Sequence, residues 1–93
     1  MIRSFRNSET EKIFNRYFSR RLPQDMQRLA LKRLLLLDAA DTVKDLRVPP
    51  GNRLEKLYRD RKGQHSIRIN DKWRICFRWD DGGAFDVEIV DYH

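Results

Sequence analysis

The spacing of apolar residues changes once along this chain, from the period of a helix to the period of a strand. Between residues 8 and 37 they recur three or four positions apart, which is the spacing of one helix face. They form two stripes, Ile13, Phe14, Tyr17 and Phe18, then Met26, Leu29, Ala30, Leu34 and Leu37. From residue 65 onward apolar and polar residues alternate, as in half-buried strands. The pattern predicts two helices followed by a sheet.

Short local signals place the ends of the helices. Ser8 and Glu11 have the spacing of a capping box, so a first helix should begin there. Pro23 suits the first turn of a second helix, where its missing N–H is not needed. Residues 49–52, Pro-Pro-Gly-Asn, break regular structure. We therefore expect residues 38–52 to be an irregular linker within one domain.

Turn signals divide the second half of the chain into strands. Asn70-Asp71 separates alternating segments at 65–69 and 73–79, and the Asp-Asp-Gly-Gly at 80–83 precedes a last strand at 84–90. A short strand at 2–5 and another around residues 54–57 complete the order β-α-α-β-β-β-β. This order predicts an α+β fold, with two N-terminal helices packed on one face of a mainly antiparallel sheet. We expect residues 1–93 to form a single domain.

Composition excludes several classes of protein. The longest apolar run, Leu34 to Leu37, is far shorter than the ~20 residues of a membrane span, and residues 1–6 lack the apolar segment of a secretory signal. We expect a cytoplasmic protein without membrane contact. Cys76, the single cysteine, lies in an apolar run and fits a buried hydrophobic residue better than a nucleophile. The sequence has neither clustered metal-ligand residues nor a glycine-rich phosphate loop, so we expect no metal and no other cofactor.

Charge is distributed unevenly along the chain, whose net charge is +6. Residues 53–74 hold eight basic and three acidic side chains, a net charge of +5, whereas residues 75–93 hold one basic and five acidic side chains, a net charge of −4. A localised basic segment attracts polyanions, of which nucleic acid is the commonest. The alternative is an ordinary solvated charged face.

RNA can be cleaved without a metal, because its own 2′-hydroxyl is the nucleophile. A base removes the hydroxyl proton, cations stabilise the charge on the phosphoryl oxygens, and an acid protonates the leaving 5′-oxygen. Arg74 is the candidate cation, since alternation along its strand points it away from the apolar face. His93 is a candidate acid or base, and Tyr58 and Tyr92 are suited to stack on a base or donate a proton.

Each of these residues also has a structural interpretation. Arg74 would equally suit an ion pair with an acidic side chain across the sheet. A histidine at the end of a chain, such as His93, is often inert. His65, near the start of a strand, fits a structural residue better than a catalytic one.

The second half of the chain carries three blocks that together are specific to one family. They are Asp60-Arg61-Lys62-Gly63, Trp73-Arg74-Ile75 and the ending Asp91-Tyr92-His93. Residues 1–5 and 37–41 extend the likeness over nearly all of the chain. The sequence resembles the HigB plasmid-maintenance killer proteins, which are RelE-like toxins of toxin–antitoxin systems.

The resemblance implies a compact RelE-like fold and an mRNA interferase that cuts messages in the decoding site of the ribosome. It implies that the catalytic residues are Arg74, Asp91, Tyr92 and His93, which match the family arginine and the family ending. We expect the neighbouring basic and aromatic residues to contact RNA and ribosome: Lys56, Tyr58, Arg59, Arg61, Lys62, Arg68 and Lys72. The implied partner is a HigA-like helix-turn-helix antitoxin, through which alone the toxin would contact operator DNA.

Two positions depart from the family pattern. Tyr58 stands where the family has a catalytic lysine, followed by Arg59 in place of glycine, and Lys72 stands where the family has asparagine. Our hypothesis is that Arg59, Arg61 or Lys72 supplies the missing cation. The alternative is a catalytically weak or inactive module of the same fold that binds antitoxin or nucleic acid. Tyr58 favours this alternative, whereas an intact Arg74 and the complete ending Asp91-Tyr92-His93 favour the enzyme.

Overall fold

The computed structural model describes residues 1–91. Within them, two α-helices, α1 at Ser8–Phe14 and α2 at Gln24–Ala39, precede four strands. The strands are β1 at Glu55–Lys56, β2 at Gln64–Arg68, β3 at Trp73–Asp80 and β4 at Gly83–Asp91. Neighbours in chain order pair antiparallel, so the sheet order is β1-β2-β3-β4. The expected α+β class is confirmed.

The strand expected at residues 2–5 is reduced to two isolated parallel bridges on the outer edge of β4. Ile2 pairs with Ala84, and Phe5 pairs with Val87. Between the two partners, Asp86 adopts a left-handed backbone conformation with a φ of 53°. Because this conformation interrupts the extended path of β4, a continuous parallel ladder cannot form there.

Helix α1 begins where expected but has a different cap. The side chain of Asn7 accepts a hydrogen bond of 2.9 Å from the backbone N–H of Thr10. The hydroxyl of Ser8 instead faces the carboxylate of Glu9 at 3.5 Å, so the expected Ser8 and Glu11 capping box is wrong. Asparagine caps a helix as well as serine does, and Asn7 directly precedes Ser8 in the chain.

The first apolar stripe is also shorter than expected. Helix α1 ends at Phe14, and Arg16 has a φ of 67°, which turns the chain out of the helix. Tyr17 and Phe18 therefore do not face the core. Their exposed fractions are 69% and 58%.

Helix α2 follows Pro23 and buries the face that its spacing predicts, except that Leu29 is only partly buried. Its core residues are Met26, Ala30, Leu34 and Leu37. They pack in one cluster with apolar residues of the sheet: Ile67, Ile69, Ile75, Phe77, Ala84, Val87 and Ile89. Ile13 of α1 belongs to the same cluster, so both helices cover the same face of the sheet. None of the helices in the described residues has the length and apolar character that spanning a bilayer requires.

The linker is more regular than expected. It contains two 3-10 turns, Val43–Arg47 and Pro50–Asn52. Leu46 of the first turn is buried in the core. The buried side chain of Asn52 donates hydrogen bonds to the carbonyls of Leu46 and Val48, at 3.1 and 3.3 Å. This side chain therefore joins the two turns and fixes where the chain enters β1.

The two turns expected between the last three strands are confirmed. Asn70 Oδ1 accepts hydrogen bonds from the backbone N–H groups of Lys72 and Trp73, at 2.9 and 2.8 Å. Asp81 and Gly82 both have positive φ values, 47° and 71°, as a two-residue hairpin turn requires.

The sheet face away from the helices carries polar residues that are largely buried. The pairing register aligns Ser66, Cys76 and Glu88 across β2, β3 and β4. The next row on the same face begins with Arg68 and Arg74. Ser66 and Cys76 are 0% exposed, and Arg74 and Glu88 are each 9% exposed. Burial of polar groups is costly unless they are hydrogen-bonded or ion-paired. The partners of these buried residues therefore define the candidate site.

Candidate active site

Arg74 is held in place by a strand and a loop on either side of it. Its Nε donates a hydrogen bond of 2.8 Å to the hydroxyl of Ser66 on β2. Its Nη2 donates to the carbonyl of Arg53, at 2.6 Å, and to the carbonyl of Ser66, at 3.5 Å. A hydroxyl and two backbone carbonyls therefore hold the guanidinium.

An acidic partner across the sheet is also present, but it lies farther away. Glu55 Oε2 is 3.9 Å from Arg74 Nη2, and the side chain of Glu55 is 53% exposed. An exposed ion pair at this distance contributes little. The structural interpretation of Arg74 is therefore represented by this long ion pair with a half-exposed carboxylate.

Arg74 lies in a depression of about 340 Å³ on the sheet face away from the helices. The lining residues are Arg53, Glu55, Arg68, Asn70, Asp71 and Arg74. Three of these are arginines, and Arg68 Nη2 forms an ion pair with Asp71 Oδ1. Since one guanidinium group can bind two phosphate oxygens at once, the depression is suited to binding an RNA backbone.

Lys72 and Asp91 form an ion pair at the end of the sheet near Arg74. Lys72 Nζ is 3.6 Å from Asp91 Oδ2 and 5.9 Å from the centre of the Trp73 ring. The register pairs Trp73 with Asp91 and Arg74 with Val90, so Asp91 lies at the end of the sheet near Arg74 but on the face of Trp73, opposite to that of Arg74. The other two residues of the expected catalytic ending, Tyr92 and His93, lie outside the described residues.

Tyr58, with Lys56 and Arg59, lies by a second depression, next to β1. This depression is about 490 Å³ and is lined by Glu55, Lys56, Leu57, Tyr58 and Arg59. The side chain of Tyr58 is 72% exposed, so its ring is accessible for stacking on a base. Lys56 pairs in register with His65, and Glu55 pairs with Ser66. Lys56 and Glu55 therefore point to opposite faces of β1.

Arg61 and Lys62, also expected to contact RNA, lie in different environments. Arg61 Nη1 donates to Glu88 Oε1 at 2.7 Å and to Gln64 Oε1 at 3.1 Å. Arg6 Nε approaches the same carboxylate at 3.8 Å. Arg61 thus joins the loop before β2 to the sheet, whereas Lys62 is exposed.

Two residues that the sequence assigns to structural roles are found in such positions. The ring of His65 stacks on Phe77, with centroids 5.8 Å apart. Burial lowers the pKa of His65, and the nearby charge of Lys56 lowers it further. Cys76 is buried, and burial raises the pKa of its thiol. A raised pKa keeps the thiol protonated and disfavours it as a nucleophile.

Several residues around Arg74 were not singled out from the sequence. Alternation along β2 places Ser66 and Arg68 on one face, and this was the available signal for Ser66. Nothing local indicated Arg53, whose carbonyl rather than side chain contacts Arg74, or Glu88, whose partners lie far away in sequence. Within residues 1–91, no three His, Cys, Asp or Glu side chains lie close enough together to hold a metal ion.

Solved structures share this arrangement of helices and sheet. The YoeB-YefM complex from Staphylococcus aureus contains a chain that superposes with a TM-score of 0.62 and 20% identity, over 100% of this chain and 98% of that one. YafQ from E. coli strain BL21(DE3) superposes with a TM-score of 0.56 and 13% identity, over 98% of this chain and 93% of YafQ. At these identities the likeness shows the fold alone.

Sequence comparison defines the family. Residues 3–93 match the model of the RelE-like toxins of the type II toxin–antitoxin system HigB, and the chain belongs to this family. It is 43% identical over 68 residues to Toxin HigB-1 of Vibrio cholerae serotype O1, covering 73% of this chain and 72% of that protein. It is 33% identical over 98 residues to Endoribonuclease HigB of Proteus vulgaris, covering 100% of both. The expected membership of the HigB-type family is confirmed, and the partner of this toxin is an antitoxin.

Proposed function

We propose that this toxin is a metal-independent endoribonuclease that cleaves mRNA on the ribosome in the cytoplasm and so blocks translation and growth. The Proteus vulgaris relative is named an endoribonuclease and aligns over the whole chain, which supports cleavage of RNA. The observation that carries the proposal is the oriented guanidinium of Arg74 beside Arg53 and Arg68. We propose that residues 1–93 act as one domain.

In this mechanism Arg74 stabilises the charge that develops on the scissile phosphate. Its guanidinium binds two phosphoryl oxygens as the 2′-oxygen attacks, and it is already oriented before RNA arrives. Loss of one such preorganised donor lowers kcat by about 10²–10³. The proton transfers are assigned to Asp91, Tyr92 and His93 on the basis of the family ending.

RNA and ribosome are bound by the basic and aromatic residues around this depression. Arg68 lies within the depression, and Lys72 lies at the sheet end beside Asp91. Tyr58 and Arg59 extend the surface past β1 with an exposed ring and a cation, and Lys56 adds a second cation at this sheet edge, directed to the other face of β1. Since cations bind phosphates and aromatic rings stack on bases, this combination suits single-stranded RNA.

The proposed partner is a HigA-like helix-turn-helix antitoxin, and the toxin contacts operator DNA only through it. The exposed rings of Tyr17 and Phe18 lie in a depression of about 410 Å³ beside α2. Its other lining residues are Ile13, Arg16, Gln27, Arg28 and Leu31. Apolar walls with guanidinium groups fit an apolar segment that carries carboxylates, which we assign to the antitoxin. A second copy of this chain, with its net charge of +6, would be repelled.

The test of cleavage is expression of the wild-type chain, Arg74→Ala and a chain without His93, with mapping of mRNA 5′ ends. Arg78→Ala is the matched control, because Arg78 lies on the same strand but is exposed and pairs with Asp86. New 5′ ends within translated frames should appear for the wild type and Arg78→Ala and be absent for the other two. Circular dichroism establishes that each chain is folded.

The same assay with purified components tests the role of the ribosome. Cleavage of an mRNA by the purified toxin should require ribosomes engaged on that mRNA. Cleavage of naked RNA at the same rate would contradict ribosome dependence. A folded wild type that produces no cuts in either assay would support the alternative, an inactive module that binds antitoxin or nucleic acid.

A further inference from the structure

Ser66 places a hydroxyl in a site that excludes water. The residue is 0% exposed, and its Oγ lies 2.8 Å from Nε of Arg74. A buried hydroxyl is costly unless it is hydrogen-bonded, and a bond to a charged donor is stronger than one to a neutral donor. The hydrogen bond from Arg74 therefore offsets the cost of burying the Ser66 hydroxyl.

A backbone carbonyl completes the contact from another direction. Arg53 has a φ of 44°, in the left-handed region, and its carbonyl accepts from Arg74 Nη2 at 2.6 Å. The preceding residue, Asn52, is buried and bonds to the carbonyls of the linker. This anchoring holds Arg53 in a conformation that non-glycine residues rarely adopt.

These two acceptors meet the same edge of the guanidinium. Nε and Nη2 lie side by side on that edge, so contacts to both fix its plane as well as its position. One acceptor comes from β2 and the other from the loop before β1. Side-chain rotation of Arg74 would break both contacts.

We propose that Ser66 is a positioning residue for RNA cleavage, which acts by holding Arg74 in the orientation that meets the scissile phosphate. This inference rests on the proposed function of Arg74. Ser66 itself touches no RNA. Its removal leaves Nε without its hydroxyl partner, and the guanidinium turns away from the geometry needed in the transition state.

The expected effect falls on the chemical step. Ser66→Ala should lower kcat by roughly tenfold to a hundredfold, since small misplacements of catalytic groups cost up to about 10²-fold. KM should change little, because the other cations of the surface still bind the RNA. Ser66→Thr retains the hydroxyl and should recover part of the lost kcat.

A double-mutant cycle separates positioning from a general structural effect. If Ser66 acts through Arg74, Ser66→Ala should cause no further loss in an Arg74→Ala background. Ser19→Ala is the matched control, because Ser19 is also buried and its hydroxyl bonds to Glu9 on the helical side. The control should leave kcat unchanged. Equal losses from Ser66→Ala with and without Arg74 would overturn the proposal.

A second readout does not depend on activity. The Nε–H signal of Arg74 in a ¹⁵N NMR spectrum, assigned by its loss in Arg74→Ala, should shift and exchange faster with water in Ser66→Ala. It should be unchanged in Ser19→Ala. An unchanged Nε–H signal in folded Ser66→Ala would overturn the positioning role. Absence of cleavage by the wild type would overturn the proposed function instead, while the NMR result would still decide the contact.

Discussion

Arg61 Nη1 lies 2.7 Å from Glu88 Oε1, and the side chain of Glu88 is only 12% exposed. Arg61 ends the 3-10 turn Arg59–Arg61, which follows Tyr58, whereas Glu88 lies on β4. Arg6 is the more distant second partner of Glu88, at 3.8 Å. The ion pair thus attaches the segment that carries Tyr58 and Arg59 to the sheet.

Arg61→Ala should therefore act mainly on stability. Among residues 1–91, removal of the guanidinium leaves the largely buried Glu88 carboxylate with the distant Arg6 as its ion-pair partner, and we expect a loss of about 1–3 kcal/mol in the free energy of unfolding. Urea denaturation measures it. Lys62→Ala, at the exposed neighbouring position, should change stability by less than about 0.5 kcal/mol. Equal losses for both variants would show that the ion pair is not stabilising.

Arg59→Ala and Lys72→Ala should instead weaken RNA binding in a salt-dependent way. If each side chain neutralises one phosphate, its removal should reduce the slope of log K against log salt by about 0.7 for a single strand. Fluorescence anisotropy of a labelled RNA, measured at several salt concentrations, gives this slope. Lys32→Ala, on the exposed side of α2, is the control. A slope unchanged from wild type in both variants would show that neither Arg59 nor Lys72 contacts an RNA phosphate.

His65 should make the fold less stable in mild acid. Burial, and then Lys56, lower its pKa below the ordinary value of 6.5, so the unfolded chain takes up a proton first as the pH falls. The contribution of His65 to stability is therefore fully present above pH about 6.5 and decreases below it. His65→Phe removes the titration and retains a ring beside Phe77.

The measurement is Tm at several pH values between about 7.5 and 5.5. The decrease in Tm over this interval should be smaller for His65→Phe than for the wild type. Gln64→Ala, at the neighbouring position of β2, should retain the wild-type decrease. Parallel curves for the wild type and His65→Phe would contradict the lowered pKa.

Tyr17→Ala and Phe18→Ala should weaken binding of the antitoxin. Aromatic side chains that enter an apolar interface commonly contribute about 2 kcal/mol or more each, and isothermal titration calorimetry with the purified antitoxin measures the loss. RNA cleavage by the free toxin should be retained, because the helices and Arg74 lie on opposite faces of the sheet. Val48→Ala is the control, as Val48 is an exposed apolar residue elsewhere. An unchanged Kd would show that the surface of Tyr17 and Phe18 does not bind the antitoxin.

Local patterns were sufficient for the last three strands but not for the strand expected at residues 2–5 or for the end of the first helix. Alternation along β3 and the turns at Asn70 and Asp81 predict strands that the structure contains. The helical spacing of Tyr17 and Phe18 predicts a core position that they do not occupy. Periodicity shows which residues share a face, but it does not show where a helix ends when Arg16 adopts a left-handed turn.

The sequence by itself determined the order of the two helices and the last three strands along the chain and, through local alternation, the direction in which Arg74 leaves the apolar face. It also indicated that Cys76 is buried, because this residue lies in an apolar run. Only the tertiary structure decided what orients Arg74. Its partners Ser66 and Arg53 are 8 and 21 positions away, and Glu88 meets Arg61 across 27 positions. These contacts depend on strand register and on the path of the loop that the buried side chain of Asn52 anchors, so folding of the whole chain brings them together.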